Sequence, residues 1–287
     1  MTMTISLKGK LYPFDRPKVM GIINTTPDSF FSGSRTPDTF SIERRVEQMV
    51  EEGVDIFDLG GYSSRPGAED IDPETEYARL VPALKAVKKI APETPVSIDT
   101  FRASVARRCV EEWGADIIND ISGGTLDPEM WATVAELNVP YILMHMRGTP
   151  ADMQTHTDYK DVVADVLKDL AFKIAELRQL GVADIIVDPG FGFAKTVDQN
   201  FRLLNELKVF GELGCPILAG VSRKSMIWRP LGITPEESLN GTTSLNTIAL
   251  LNGADILRVH DVKEGRQCVE LVELLKHSAS PNEEPVI

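Results

Sequence analysis

Eight short apolar runs, rich in β-branched residues, recur along the chain, and they limit its fold more than any other feature. Each run ends in a polar residue or glycine, and a helical pattern often follows. Continuous apolar runs of this kind are typical of strands buried on both faces, as in parallel sheets. The runs are Val19–Ile23, Ile56–Leu59, Val96–Ile98, Ile117–Ile118, Tyr141–Met144, Ile185–Val187, Ile217–Val221 and Ile256–Val259.

Amphipathic stretches lie between the runs, and several end at a glycine that can take the left-handed conformation of a helix cap. Eight strands alternating with helices predict an α/β fold, a single (β/α)8 TIM barrel. An open, doubly wound sheet is the alternative, but it would carry a glycine-rich turn after its first strand. Asn-Thr-Thr-Pro follows that strand here. The predicted helices include 42–52, 74–90, 101–113, 162–180 and 236–251, and the capping glycines are Gly53, Gly114, Gly181 and Gly253.

The length of 287 residues suits one barrel, which we expect at 1–277, followed by a disordered tail at 278–287. A net charge of -13 argues against nucleic acid or an anionic membrane as a partner. The chain contains no apolar run long enough to span a membrane, and its first residues lack the apolar core of a signal peptide. Three scattered cysteines favour a reducing, cytoplasmic location over a disulfide framework.

The polar residues that follow the strands converge, in a barrel, on the C-terminal mouth where catalysis takes place. Strand ends are often polar merely because they meet water, but acids, amides and bases alternate here in a way that suits one polyfunctional ligand. We interpret Asp58 as pointing away from the mouth and His145 as a packing residue. The candidate residues are Asn24, Asp99, Asn119, Asp188, Ser222, Lys224, Arg258 and His260.

Three loops after strands complete the predicted mouth. Segments 24–31 and 60–68 are long and polar, so they can close over a substrate and exclude water. Segment 188–195 places an acid on a Pro-Gly turn beside Phe191 and Phe193, one of which we expect to cover the barrel rim. A flat heterocycle needs a stacking face and an acceptor for its amide and amino hydrogens, so this loop indicates a heterocycle site.

Eight segments together resemble the dihydropteroate synthase family, the folate-pathway enzymes of the pterin-binding barrel superfamily. They stand in the family's order between Met20 and Val262 and read MGIINTTPDSF, DLGGYSSRPGA, VSIDTF, GADIINDISG, YILMHMRGTP, DPGFGFAK, GVSRKS and ILRVHDV. The resemblance implies that p-aminobenzoate condenses with 6-hydroxymethyl-7,8-dihydropterin pyrophosphate and that pyrophosphate is released. It also implies a sulfonamide target and a homodimer formed through outer helices of the barrel.

The resemblance also implies a role for each matching residue, with Asp99, Lys224 and Arg65 as the catalytic group. The residues around the pterin would be Asp99, Asn119, Asp188 and Lys224. The residues at the anionic end would be Ser64, Arg65, Arg258 and His260, with Asn24 holding a Mg²⁺. The residues framing the aminobenzoate would be Ser222, Phe193, Lys224, Phe30 and Pro66.

The chain departs from the family pattern at a few positions. Tyr62 stands where Glu is usual, Ser64 where Thr is usual, and the first loop continues FFSGSR where SDGG is commoner. Ala194 replaces a usual glycine, which predicts that the turn needs no positive φ at this residue. None of these changes removes a charged site residue.

Two other functions remain alternatives. A methyltetrahydrofolate:corrinoid methyltransferase of the same superfamily would share the pterin acids and amide but would have no diphosphate to bind. The SSRPG, SRKS and RVH segments supply cationic groups for a diphosphate and favour the synthase. A non-catalytic paralogue would be expected to lack Asn24, Asp99 or Lys224, and all three are present.

Overall fold

The computed structural model describes residues 3–26, 39–63 and 70–278, and eight parallel strands form its centre. They lie in the order β8-β7-β6-β5-β4-β3-β10-β9, and a parallel bridge between Val187 and Ile217 joins the two ends of this sheet. The predicted (β/α)8 barrel is therefore confirmed. The strands are β1 Thr4–Leu7, β2 Lys10–Pro13, β3 Lys18–Asn24, β4 Ile56–Gly60, β5 Val96–Asp99, β6 Ile117–Asp120, β7 Tyr141–Met144, β8 Ile185–Asp188, β9 Leu218–Ala219 and β10 Ile256–Val259.

Helices surround the barrel and bury one face each against the outside of the strands. They are α1 Thr39–Glu51, α2 Pro73–Ile90, α3 Ala103–Trp113, α4 Met130–Leu137, α5 Val162–Gln179, α6 Val197–Asn205, α7 Ser225–Leu231, α8 Leu239–Leu251 and α9 Val262–Ser278. Short 3₁₀ turns lie at Met153–Thr155, Leu207–Leu213 and Glu236–Ser238. The predicted helix 236–251 therefore consists of a 3₁₀ turn followed by α8.

Local sequence signals account for several helix ends. The carboxylate of Asp72 accepts a hydrogen bond from the Thr75 backbone N–H at 2.9 Å, which caps α2. Thr196 and Gln199 form a reciprocal capping box at the start of α6. The four glycines predicted to follow helices all have positive φ, between 71° and 93°, so that prediction is confirmed. Of the predicted tail, Ser278 ends α9 and residues 279–287 lie outside the described residues.

An antiparallel hairpin of β1 and β2, which was not predicted, covers the amino-terminal end of the barrel. Ile5, Leu7 and Phe14 pack onto the first inward-facing residues of the strands, including Met20 and Ile56. The alternating residues of ISLKGKLYP around a Lys-Gly turn are the signal that could have revealed it. Within the described ranges, no helix is both long and apolar enough to cross a membrane.

Candidate active site

The carboxyl ends of the parallel strands surround a cavity of about 320 Å³. Most of the predicted site residues line it, namely Asn24, Asp99, Phe193, Ser222, Lys224, Arg258 and His260. Asn119 and Asp188 are almost fully buried at the carboxyl ends of β6 and β8. Phe30, Ser64, Arg65 and Pro66 lie outside the described residues.

Arg258 of β10 joins two carboxylates at the bottom of this cavity. Its Nε lies 2.6 Å from Asp58 Oδ2, and its terminal nitrogen lies 2.5 Å from Asp99 Oδ2. Asp58 is fully buried and also accepts a hydrogen bond from the Asn119 side chain at 3.2 Å. The interpretation of Asp58 as pointing away from the mouth is therefore wrong. Alternate residues of a strand share a face, so Asp58 lies on the same inward face as Gly60.

The protonation of Asp99 depends on this cluster. Burial raises the pKa of Asp99 to about 7; the Arg258 guanidinium opposes the rise and the neighbouring Asp58 carboxylate adds to it. A carboxylic acid with this pKa gains and loses its proton within the physiological range. The charge of Asp99 therefore changes with pH near neutrality.

The loop after β8 brings Asp188 to the site. Asp188 Oδ1 accepts a hydrogen bond from the Gly190 backbone N–H at 2.7 Å. Gly190 has a φ of 73°, and a Cβ atom on it would lie 2.0 Å from the His145 carbonyl oxygen, so only glycine fits there. Burial raises the pKa of Asp188, and the nearby Lys224 ammonium opposes that rise.

Lys224 is held against the same loop. Its Nζ donates to the Phe191 carbonyl oxygen at 2.6 Å and lies 4.9 Å from the centre of the Phe193 ring. Burial lowers the pKa of Lys224 to about 8, and the Asp188 carboxylate opposes the change, so the amine is largely protonated at pH 7. Phe191 is fully buried and Phe193 lines the cavity, which confirms that only one of the two covers the barrel.

Ala194, in the same loop, has a φ of 50°. The prediction that this turn needs no positive φ at this residue is therefore wrong. Ala194 is fully buried among apolar side chains, where its methyl group packs beside Met144 and Met146. This packing offsets part of the cost of a left-handed alanine, which is about 1–2 kcal/mol.

Ser222 and His260 meet across the ends of β9 and β10. Ser222 Oγ lies 3.1 Å from His260 Nδ1 and accepts a hydrogen bond from the His260 backbone N–H at 3.2 Å. Burial lowers the pKa of His260 to about 4, and the charge of Arg258 contributes. The imidazole is therefore neutral at pH 7: it can donate or accept a hydrogen bond, but it is too weak a base to activate Ser222 as a nucleophile.

Arg223 and Tyr62 also line the cavity, although neither was among the predicted site residues. Arg223 has a φ of 54°, and its guanidinium binds both oxygens of Asp261 at 2.8 and 2.9 Å. Tyr62 packs edge-on against Phe101, with ring centres 5.0 Å apart. Tyr62 was noticed only as a departure from the family pattern, and the backbone conformation of Arg223 leaves no signal in the sequence.

Asn24 ends β3 at the wall of the cavity, next to Asp99. A Cβ atom on Gly60 would lie 3.2 Å from Asn24 Oδ1 and 3.6 Å from the Asp99 Cβ, so this glycine leaves room for both side chains. No cluster of three or more histidine, cysteine or acidic side chains suited to a metal occurs among the described residues. An amide oxygen of this kind fits a Mg²⁺ that is bound mainly by water and by substrate phosphate.

The geometry separates two kinds of ligand contact. Asp188, Asn119 and Lys224 offer an acceptor, an amide and a cationic donor in a buried region, which suits the polar edge of a flat heterocycle. Asn24, Ser222, Arg258 and His260 also line the cavity, and their hydrogen-bonding groups and the charge of Arg258 suit an anionic group. The site can therefore hold a ligand that is heterocyclic at one end and charged at the other.

Comparison with known proteins agrees with this description. The family model for pterin binding enzyme matches residues 20–260. A dihydropteroate synthase of Clostridium beijerinckii is 42% identical over 91% of this chain and 95% of that protein. The Escherichia coli K12 dihydropteroate synthase is 38% identical over 94% of this chain and 96% of its own.

Solved structures agree as well. The Yersinia pestis dihydropteroate synthase in complex with a sulfonamide drug has a TM-score of 0.90 at 34% identity, covering 96% of this chain and 100% of that one. A Xanthomonas albilineans dihydropteroate synthase with 4-aminobenzoic acid has a TM-score of 0.88 at 36% identity, covering 98% of this chain and 100% of that one.

Proposed function

The chain belongs to the pterin-binding enzyme family, and on that premise we propose how its barrel mouth performs the reaction of a dihydropteroate synthase. The enzyme is a transferase of folate biosynthesis. It condenses p-aminobenzoate with 6-hydroxymethyl-7,8-dihydropterin pyrophosphate to give 7,8-dihydropteroate and pyrophosphate. The observation that carries this function is the convergence of Asp99, Asn119, Asp188 and Lys224 on one barrel end in a chain of this family.

The buried groups recognise the pterin in this proposal. The N3–H and 2-amino group of a pterin form an edge of two donors, which the Asp188 carboxylate accepts together. The Asn119 amide offers both a donor and an acceptor to neighbouring ring atoms. The Lys224 ammonium donates to the ring carbonyl, and its charge favours the ionised form of Asp188.

Asp99 stabilises the charge that develops during the reaction. When the bond between the exocyclic carbon and the diphosphate oxygen breaks, that carbon becomes electron-poor and the positive charge spreads into the ring. An ionised Asp99 close to the ring lowers the energy of this state electrostatically. The aryl amine of p-aminobenzoate then attacks the carbon and loses a proton, so no nucleophilic side chain is needed.

The leaving diphosphate requires more positive charge than Arg258 alone provides. Arg258 is already paired with Asp58 and Asp99, so little of its charge remains for a further anion. We assign the remaining contacts to Arg65, Ser64 and neutral His260. A Mg²⁺ held by Asn24 would neutralise diphosphate charge and so favour its departure.

The aminobenzoate lies above the pterin in this proposal, beside Phe193 and Ser222, and we assign Phe30 and Pro66 to it as further contacts. Phe193 offers an apolar ring face at the cavity wall. The Lys224 side chain, next to Phe193, borders both subsites. This arrangement brings the amine toward the electron-poor carbon of the pterin.

We also propose a homodimer formed by α8 and α9. Five large apolar side chains on these adjacent helices are exposed, namely Ile248, Leu251, Leu271, Leu274 and Leu275. Exposed apolar side chains on adjacent helices are suited to a twofold interface. Sedimentation should give a dimer for the wild type and a monomer for Leu274→Glu, whereas Phe172→Glu on α5 should remain dimeric. A dimeric Leu274→Glu variant would show that the interface lies elsewhere.

A cytoplasmic location is proposed as well, because all three cysteines are unpaired and buried. This state agrees with a reducing compartment.

One assay tests the function directly. The protein is mixed with the pterin pyrophosphate, p-aminobenzoate and Mg²⁺, and the formation of dihydropteroate and pyrophosphate is followed. We expect both products in equal amounts. Their absence would refute the synthase and favour a non-catalytic pterin-binding protein. Methyl transfer from methyltetrahydrofolate to a corrinoid would instead favour the methyltransferase.

A further inference from the structure

A buried lysine, Lys195, lies behind the loop that carries Asp188. Its side chain is nearly inaccessible to water. Its Nζ donates to the carbonyl oxygens of Gly190 at 2.9 Å and Phe193 at 3.0 Å, and lies 3.1 Å from His145 Nδ1. The His145 carbonyl oxygen lies farther away, at 3.5 Å. An ammonium group has three protons, which match the three nearer partners.

Two of the three partners of Lys195, Gly190 and Phe193, belong to the turn that forms the site. Gly190 donates its N–H to the Asp188 carboxylate, and the Phe193 ring faces the cavity. The intervening Phe191 carbonyl accepts a hydrogen bond from Lys224. Along this turn, the carbonyl groups that bind Lys195 therefore lie next to groups that face the ligand site.

The turn adopts a conformation that needs support. Gly190, Gly192 and Ala194 all have positive φ, at 73°, 83° and 50°. In this conformation the carbonyl groups of Gly190 and Phe193 both point toward Lys195. Buried carbonyl groups must be hydrogen-bonded, and Lys195 supplies this for two of them.

Charge links Lys195 to Asp188 as well. Burial lowers the pKa of Lys195 to about 7, and the Asp188 carboxylate opposes the change. Burial also lowers the pKa of His145 well below its usual value, and Lys195 contributes, so the imidazole is neutral and its Nδ1 accepts the hydrogen bond. The buried position of His145 agrees with its interpretation as a packing residue, and its ring is also hydrogen-bonded to Lys195.

We propose that Lys195 is a positioning residue for pterin binding: by holding the carbonyl groups of Gly190 and Phe193, it sets the Asp188 carboxylate at the ring edge. The inference rests on the proposed function, because it takes Asp188 as the group that binds the pterin. Burying a charged amine is costly, and a methionine would fill the same volume without that cost. The lysine therefore has a purpose beyond filling space.

Lys195→Met tests the proposal, with Lys173→Met as a matched control. Lys173 is another buried lysine, on α5, and it pairs with Asp169 at 3.0 Å. We expect Lys195→Met to weaken binding of the pterin pyrophosphate, measured by calorimetry, about 10-fold or more. Lys173→Met should bind it within about 3-fold of the wild type. Equal binding by Lys195→Met and the wild type would overturn the proposal.

A double-mutant cycle with Asp188→Asn separates positioning from general damage. If Lys195 acts through Asp188, then Lys195→Met should cost less than about 3-fold in affinity once Asp188 has been replaced. An undiminished cost in the Asp188→Asn background would refute the mechanism. If Lys195→Met does not fold, Lys195→Gln retains an amide donor and replaces it in the same cycle.

The proposed function can fail separately. A wild-type protein that makes no dihydropteroate refutes that function, whereas an active wild type with an unaffected Lys195→Met variant refutes only the role of Lys195.

Discussion

Replacing Asp58 by asparagine tests the carboxylate cluster around Arg258. The substitution keeps the size of the side chain and an oxygen that can accept from Arg258 and Asn119, but it removes the negative charge. Asp58 is fully buried and Arg258 is 17% exposed, so water cannot replace the lost charge. Two effects should follow, one on stability and one on the pH dependence of catalysis.

The stability effect follows from burial. Breaking a buried ion pair typically costs about 3–5 kcal/mol, and Asp99 still compensates part of the charge of Arg258, so we expect about 3 kcal/mol. A change of that size lowers the melting temperature by roughly 6–12 °C in a protein of this length. Asp261→Asn is the control. It removes a pair with Arg223 in which both side chains are partly exposed, and it should cost about 1 kcal/mol.

The effect on pH dependence follows from Asp99. In the wild type, kcat/KM should fall as the pH drops below about 7, because protonated Asp99 cannot stabilise a cationic ring. Two carboxylates roughly 6 Å apart repel by about 3 kcal/mol at an effective dielectric constant of about 20. This repulsion corresponds to a pKa shift of about two units, and partial exposure of Asp99 reduces the shift to about one unit. Asp58→Asn should therefore move the acidic limb to lower pH by about one unit.

Urea unfolding and pH–rate profiles of wild type, Asp58→Asn and Asp261→Asn measure both effects. An Asp58→Asn variant as stable as Asp261→Asn would refute the assignment of a buried pair. An unchanged acidic limb would refute the identification of Asp99 as the titrating group.

Three further predictions concern the ligand contacts and the loop after β8. Lys224→Ala and Asp188→Ala should each lower turnover about 100-fold or more and leave the protein folded, whereas the exposed Lys263→Ala should be as active as the wild type; normal rates in either site variant would contradict the pterin assignment. Removal of Mg²⁺ by chelation should weaken calorimetric binding of the pterin pyrophosphate about 10-fold or more, and an affinity insensitive to chelator would exclude Asn24 from the metal role. Ala194→Val should destabilise the protein by about 2–3 kcal/mol in urea unfolding, because a β-branched residue at positive φ is strained and the site is full, while Ala194→Gly should stay within about 1 kcal/mol; equal stability of the two would argue against the left-handed conformation.

The barrel could be predicted because its evidence is local and repeated. Each strand is a short apolar run, and the glycines after helices mark the ends of the repeating unit. Most site residues could be placed for the same reason, since a residue after a strand of a parallel barrel must face the mouth. The hairpin of β1 and β2 was missed because it lies outside the repeat.

The errors at Asp58 and Ala194 have physical causes. Alternation of side chains along the strand places Asp58 on the same face as Gly60. A buried carboxylate is costly unless it is paired, so the inward position of Asp58 could be predicted only once its partner was known. That partner, Arg258, lies 200 residues away in the chain. At Ala194 the local preference of alanine was outweighed by tertiary packing and by the fold of the loop, neither of which a sequence pattern reveals.

The hairpin of β1 and β2 closes the amino-terminal end of the barrel. Ile5, Leu7 and Phe14 pack there against inward-facing strand residues that fill the interior, so among the described residues the cavity opens at the carboxyl ends of the strands. In the proposed binding mode, the pterin part of the product occupies the inner end of the cavity, which the next pterin pyrophosphate also needs. Dihydropteroate should therefore compete with the incoming pterin pyrophosphate, and the rate at which dihydropteroate dissociates sets an upper limit on kcat.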